Sequence, residues 1–166
     1  MDSIDLKILN ALQDDAKITN AELAAKVHLS PSPCLARVRA LEQAGIIERY
    51  VTLLDPAAFG LTVSVFIQVS LDRQVEPVLE KFESAVIRLP EVMECYLMTG
   101  DSDYLRHVVV EDLAALQSFI VGRLSRIDGV KSIRSSIALK RVAYKTALPL
   151  PETPARARKA RVRRKP

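Results

Sequence analysis

The sequence predicts an α+β fold in two parts: a helical N-terminal unit, then a β-α-β-β-α-β unit. Three observations predict it. Apolar residues recur at helical spacing through residues 2–43. The pattern then changes to alternation at Val63, Val65, Ile67, Val69 and Leu71. From there, strand-like and helix-like stretches take turns to about residue 142. With 166 residues and 49% hydrophobic content, the chain has material for two small cores or one medium one.

The first helix is expected over residues 2–14, with Ile4, Ile8, Ala11 and Leu12 on one face. Thr19 caps a second helix, and Glu22 three residues on completes a capping box. Leu23, Ala24 and Val27 supply its apolar stripe. Ser30 caps the third helix, Pro31 suits its first position, and Gly45 stands just past its end, where a left-handed residue is wanted. At about 100° per residue, Cys34, Leu35, Val38 and Leu41 share one side of that helix. Ser32, Pro33, Ala36, Arg37, Ala40 and Gln43 share the other, with Arg39 at its edge. Such a face of small and polar residues suits close approach to base edges, where Arg and Gln supply donors. A plain helical hairpin with a solvated face accounts for the periodicity equally well. Residues 46–55 are rich in strand formers and would make a wing or a hinge strand. Three helices and a strand make a winged helix-turn-helix over residues 1–50.

Pro56 and Gly60 punctuate a connector, giving a hinge strand and linker over 51–61. A strand follows over 63–71, then an amphipathic helix over 76–89 on Val78, Leu79, Phe82, Val86 and Leu89. Strands over 92–99 and 103–110 flank a turn at Gly100. Asp112 caps a helix carrying Leu113, Leu116, Phe119, Ile120, Leu124 and Ile127, which Gly129 ends, and the last strand spans 130–142. The order is that of a ferredoxin-like βαββαβ sandwich over residues 62–145. Two helices cover one sheet face, and the other looks too apolar to stay bare. A second subunit related by two-fold symmetry would cover it.

Charge is uneven along the chain. The net charge is +4, yet residues 149–166 hold seven Arg/Lys against one Glu, a net +6 that leaves the remainder at −2. Residues 146–166 are expected to be a disordered Pro/Arg-rich tail. It is either an arm touching DNA phosphates or a solubilising extension. Residues 1–50 carry six Lys/Arg against seven Asp/Glu, so any DNA surface there must come from local placement of Arg37, Arg39 and Arg49. No apolar run approaches the ~20 residues of a membrane span, and no signal peptide is evident, so a cytoplasmic protein is expected. Cys34 and Cys95 lie far apart in sequence and read as core residues. His28 and His107 form no metal-spaced set. Neither a cofactor nor a metal is expected.

Several separated motifs carry a specific resemblance. Ile4-Asp through Leu12, Leu29-Ser-Pro-Ser-Pro-Cys-Leu-x-Arg-Val-Arg-x-Leu-Glu-x-x-Gly45 and Glu94-Cys-Tyr-Leu-Met-Thr-Gly-Asp-Ser-Asp-Tyr-Leu105 occur in order, with a further match near Gly129. This pattern, over about residues 3–143, resembles the Lrp/AsnC family of leucine- and asparagine-responsive transcription regulators. The resemblance implies binding to double-stranded DNA. It also implies homo-oligomers (a dimer, assembled further into a tetramer or octamer) and a small amino acid bound between subunits.

On that basis Ser30, Ser32, Pro33, Arg37, Arg39 and Gln43 are candidate DNA contacts. The loop 100–104 admits two readings from its residues alone: a plain hairpin turn, or a site where carboxylates hold an α-ammonium and backbone N–H groups hold an α-carboxylate. The resemblance favours the site and matches Thr99, Gly100, Asp101, Asp103 and Tyr104 to it. It adds Ser135 and Ser136 on the last strand as residues that influence ligand response. Arg106 and His107 depart from the family pattern of two leucines after the Tyr. They either alter the charge near the pocket or face solvent. No catalytic set accompanies Asp101 and Asp103, so enzymatic activity is not expected. The alternative function is an architectural DNA-wrapping protein without effector response.

Overall fold

The computed structural model describes residues 1–151. The chain forms two compact units, one of Met1–Thr52 with the chain from Ala143 onward, the other of Leu53–Val142. No described helix is long and apolar enough to cross a membrane.

The first unit holds helices α1 (Ser3–Asp14), α2 (Asn20–Lys26) and α3 (Pro31–Gln43). Asp2 begins α1 with a capping box: its carboxylate accepts from the Ile4 and Asp5 N–H groups, while Asp5 accepts from the Asp2 N–H. Thr19 and Glu22 close the expected box on α2. His28, with φ +58°, supplies the left-handed turn between α2 and α3. Ile8, Ala11, Leu23, Ala24, Val27, Cys34, Val38 and Leu41 pack as one core.

Three expectations change here. Ser30 stands at the N-cap of α3, but its side chain makes no capping bond. Leu35 is 37% exposed and outside the core, because the buried stripe of α3 narrows to Cys34, Val38 and Leu41. Residues 46–55 form no strand: a ladder needs a neighbouring strand, and among the described residues of the first unit there is none for 46–52 to pair with. A fourth concerns the expected disordered tail, whose described residues make defined contacts. The Leu148 N–H donates to Gln13 Oε1 at 2.6 Å, and Leu150 packs against the three-helix core. The remainder of the expected basic tail, 152–166, lies outside the described residues.

The second unit opens with a 3₁₀ turn at Pro56–Phe59, whose Ala57 N–H is capped by the Asp55 carboxylate. Then follow β1 (Val63–Leu71), α4 (Glu76–Val86), β2 (Val92–Leu97), β3 (Tyr104–Val110), α5 (Leu113–Gly122) and β4 (Val130–Ile137). A 3₁₀ turn at Leu124–Arg126 replaces the expected last turns of α5, and β4 stops short of residue 142. The sheet is antiparallel with order β2-β3-β1-β4, as the ferredoxin-like reading requires.

Alternation fixes two sheet faces. Val65, Ile67, Val69 and Leu71 of β1 join Tyr104, Val108 and Val110 of β3 beneath Phe82, Val86, Leu116 and Phe119 of the helices. The opposite face carries Ser64, Phe66, Gln68 and Ser70 of β1, with Leu105 and His107 of β3 and Ser132, Arg134 and Ser136 of β4 in register beside them. Cys34 is buried as expected, whereas Cys95 is exposed, because β2 is an edge strand.

Phe82 lies at the centre of the helix–sheet core and is fully buried. Phe82→Ala is expected to cost this unit about 3–5 kcal/mol, read from urea unfolding. A change below about 1 kcal/mol would contradict this packing.

Candidate DNA-reading face and effector cleft

Helix α3 buries Cys34, Val38 and Leu41 and leaves Ser32, Pro33, Leu35, Ala36, Arg39, Ala40 and Gln43 exposed. Ser32, Ala36, Arg39 and Gln43 recur at spacings of four, three and four, so they form one stripe along the helix. Arg39 makes no ion pair among the described residues and keeps all its donors free.

Arg37 has a different place from the one its spacing suggests. Its Nη1 donates to Asp2 Oδ2 at 2.8 Å and to Asp5 Oδ1 at 2.7 Å. The same two carboxylates build the capping box of α1. The backbone N–H of Asp5, then the Arg37 guanidinium, hold the Asp2 carboxyl below the usual range. Asp5 and then Asp2 push the Arg37 guanidinium up. Arg37 therefore ties α3 to the start of α1 and does not stand free on the exposed stripe. At the other end of α3, the Tyr50 hydroxyl donates to Glu42 at 2.9 Å. Burial and this bond push the Tyr50 phenol up to about 12.

The second candidate site lies on the open sheet face. Gln68 and Ser70 of β1, Asp101 and Ser102 of the β2–β3 loop, and Ser132 and Arg134 of β4 line a cleft of about 100 Å³. Gly100, with φ +124°, lets the loop turn sharply enough to bring Asp101 there. The Asp101 carbonyl accepts from Ser70 Oγ at 3.4 Å. The cleft thus has one acidic residue, Asp101, and one basic residue, Arg134, among a lining otherwise of hydroxyl and amide side chains. That arrangement can meet both charges of a zwitterion.

The loop residues named from the sequence separate into two groups. Asp101 faces the cleft, and Thr99 and Gly100 are exposed. Asp103 is only 6% exposed, and its carboxylate is occupied: Oδ2 accepts from the Leu71 N–H at 2.6 Å and Oδ1 from Gln74 Nε2 at 2.5 Å. Tyr104 points into the helix side, where its hydroxyl donates to Glu83 at 2.8 Å. Burial first, then this bond, push its phenol up. Both residues hold the loop in place from beneath and do not line the cleft. Ser135 pairs with Ile67 and Ser136 with Phe66, so the two serines lie on opposite sheet faces, and only Ser136 shares the cleft's face. Sequence reasoning missed Gln68, Ser70, Ser132 and Arg134. Their common phase along β1 and β4 was the available signal.

Of the two residues that depart from the family pattern, His107 lies on the open face, stacked on Phe66 at 5.0 Å, with Nε2 2.8 Å from Ser64 Oγ. Arg106 is fully buried on the helix side. Among the described residues, no group of His, Cys, Asp or Glu is arranged to hold a metal.

Residues 1–48 match the winged helix-turn-helix DNA-binding family, and residues 64–148 match the Lrp/AsnC ligand binding domain. The Bkd operon transcriptional regulator of Pseudomonas aeruginosa is 47% identical over 150 residues, covering 90% of this chain and 98% of that protein. The leucine-responsive regulatory protein of Klebsiella pneumoniae is 41% identical, covering 89% and 90% of the two chains. Among solved structures, a Neisseria meningitidis transcriptional regulator in complex with L-Met is 40% identical with a TM-score of 0.86, covering 90% of this chain and 96% of that one. An AsnC family regulator from Agrobacterium tumefaciens is also 40% identical with a TM-score of 0.85, covering 90% and 97%.

The Arg37 clamp predicts a specific pattern in DNA-binding titrations. Arg37→Ala and the double change Asp2→Asn with Asp5→Asn are expected to weaken binding by a similar factor, because each removes both ion pairs that tie α3 to α1. Arg39→Ala is expected to weaken binding with no change in melting temperature. A loss with Arg37→Ala but none with the double carboxylate variant would show that Arg37 touches DNA itself. The clamp also has a pH signature. The Asp2 carboxyl is held low in the folded protein, so its contribution is full above its unfolded pKa of about 3.9 and is lost as pH falls through the folded value. The destabilisation caused by Arg37→Ala should therefore be present at pH 7, begin to shrink as pH falls below about 3.9, and be lost only below the lower folded value.

Proposed function

Because the chain belongs to the Lrp/AsnC family of DNA-binding transcriptional regulators, we propose that a small amino acid, held in the cleft between Asp101 and Arg134, controls its action on DNA. The observation that carries this reading is that an acidic and a basic residue, Asp101 and Arg134, line one polar cleft on the open sheet face. Arg134 takes the α-carboxylate, Asp101 takes the α-ammonium, and Ser70, Ser132 and Gln68 fix the ligand's orientation. The Neisseria regulator's complex with L-Met supports the ligand class.

DNA is read through the exposed stripe of α3, with Ser32, Arg39 and Gln43 toward base edges and Ser30 and Pro33 at the helix start near the backbone. Arg37 aims that helix. A second copy of the chain covers the open sheet face, where Phe66 and Tyr96 are exposed. A two-fold dimer then presents two α3 helices to related half-sites. The ligand acts by stabilising one arrangement of subunits over another.

Melting curves with L-leucine and L-methionine, probes chosen from the relatives' names, test this reading. A ligand at a hundred times its dissociation constant stabilises by about 2.7 kcal/mol. Asp101→Asn and Arg134→Ala should each remove that stabilisation while leaving the ligand-free melting temperature unchanged. Asp103→Asn should lower the ligand-free melting temperature instead, since it breaks a buried contact. A ligand response that survives both Asp101→Asn and Arg134→Ala would reject the cleft. A screen of all common amino acids with no shift would leave a DNA-binding protein without an effector.

A further inference from the structure

Arg106 is the one fully buried guanidinium among the described residues, and its Nε, Nη1 and Nη2 atoms all lack a hydrogen-bond partner. It sits on the helix side of β3 between Tyr104 and Val108, directly across from Cys95 of the edge strand β2. The Phe82 ring lies against both of its β3 neighbours on this face. Its centroid is 4.6 Å from the Tyr104 ring and 5.1 Å from the Arg106 guanidinium carbon. The next residue of α4, Glu83, places its carboxylate on the Tyr104 hydroxyl. One carboxylate thus sits beside a neutral donor, while a buried cation around the same ring has no acceptor.

This arrangement is lopsided. A carboxylate can meet a guanidinium through two parallel bonds between opposite charges, which a single neutral hydroxyl does not offer. A cation taken from water without a partner is costly, and stacking on one Phe recovers only part of that cost. Tyr104, by contrast, is positioned by the loop before it. Asp103 fixes the start of β3 through its N–H on the Val69 carbonyl and its carboxylate on Leu71 and Gln74.

We propose that Glu83 is a shared acceptor with two positions, on the Tyr104 hydroxyl in this state and on the Arg106 guanidinium in a second, so that displacement of the cleft loop is passed to helix α4. The exchange takes the Glu83 carboxylate from the Tyr104 hydroxyl to Arg106, both of which border the Phe82 ring. In the second state the group left unpaired is a neutral hydroxyl rather than a cation. Cys95 reports on the exchange. Burial raises its thiol pKa, the Arg106 charge lowers it, and the Glu83 charge raises it, so pairing Glu83 with Arg106 withdraws the one influence that favours thiolate. The link to an effector rests on the function proposed above. The exchange itself does not, and the test contains neither amino acid nor DNA.

The test uses the full chain. Glu83→Gln, Arg106→Met and the double variant are melted in the Tyr104 protein and again with Tyr104→Phe. No coupling between Glu83 and Arg106 is expected with Tyr104 present, and a clear stabilising coupling is expected with Phe. Iodoacetamide labelling of Cys95 gives a second reading that needs no change at Arg106, with buried Cys34 silent. Tyr104→Phe should slow labelling severalfold, and adding Glu83→Gln should restore or exceed the original rate. Equal coupling in both backgrounds, or a Cys95 rate indifferent to Tyr104→Phe, overturns the proposal.

Discussion

Side-chain alternation along β1 and its neighbours is the constraint on which the C-terminal unit depends. The four-stranded sheet sends every second residue toward α4 and α5 and the rest toward the open face. Val65, Ile67, Val69 and Leu71 fill the first side completely, which forces Phe66, Gln68 and Ser70 to the second. The registers with β3 and β4 extend that division across the sheet. A one-residue slip would carry Arg134 and Ser132 into the core and Ile133 onto the surface, so packing holds the cleft residues in place. The chemistry of the open face is thus a by-product of how the other face is buried.

The same division explains the unequal fates of adjacent residues. Asp101 and Asp103 are two apart in one loop, yet one lines the cleft and the other holds the loop from within. Arg106 and His107 are adjacent, yet one is sealed against Phe82 and the other stacks on Phe66 across the sheet. In the N-terminal unit a polar contact takes the corresponding role. Two carboxylates that cap α1 also hold Arg37 of α3, so the start of one helix sets the direction of another. Arg39, two residues on and about 200° around the helix, makes no ion pair among the described residues.

Much of this was legible in the sequence, and the failures have physical causes. The helix start at Thr19 was readable because capping is local chemistry. The strand order followed from alternation and loop length. The inward placement of Arg106 was also readable, because it is in phase with Tyr104, Val108 and Val110, but its charge argued for solvent. Likewise Ser135 shares its phase with Ile133 and not with Ser136. Other features depend on contacts no local pattern carries. Leu150 packs on the three-helix core from far along the chain, and Arg37 finds carboxylates more than thirty residues away. The stretch 46–55 has strand propensity, but it spans the boundary between the units and pairs with no strand among the described residues.

Where an amino acid binds decides the matter most directly. A crystal structure of the full chain grown with L-methionine measures this. Electron density for the ligand's carboxylate against Arg134 and its ammonium against Asp101, on the open face and beneath a second copy of the sheet, is the predicted result. Density on the helix side of the sheet, or an occupied site elsewhere with this cleft empty, would contradict it.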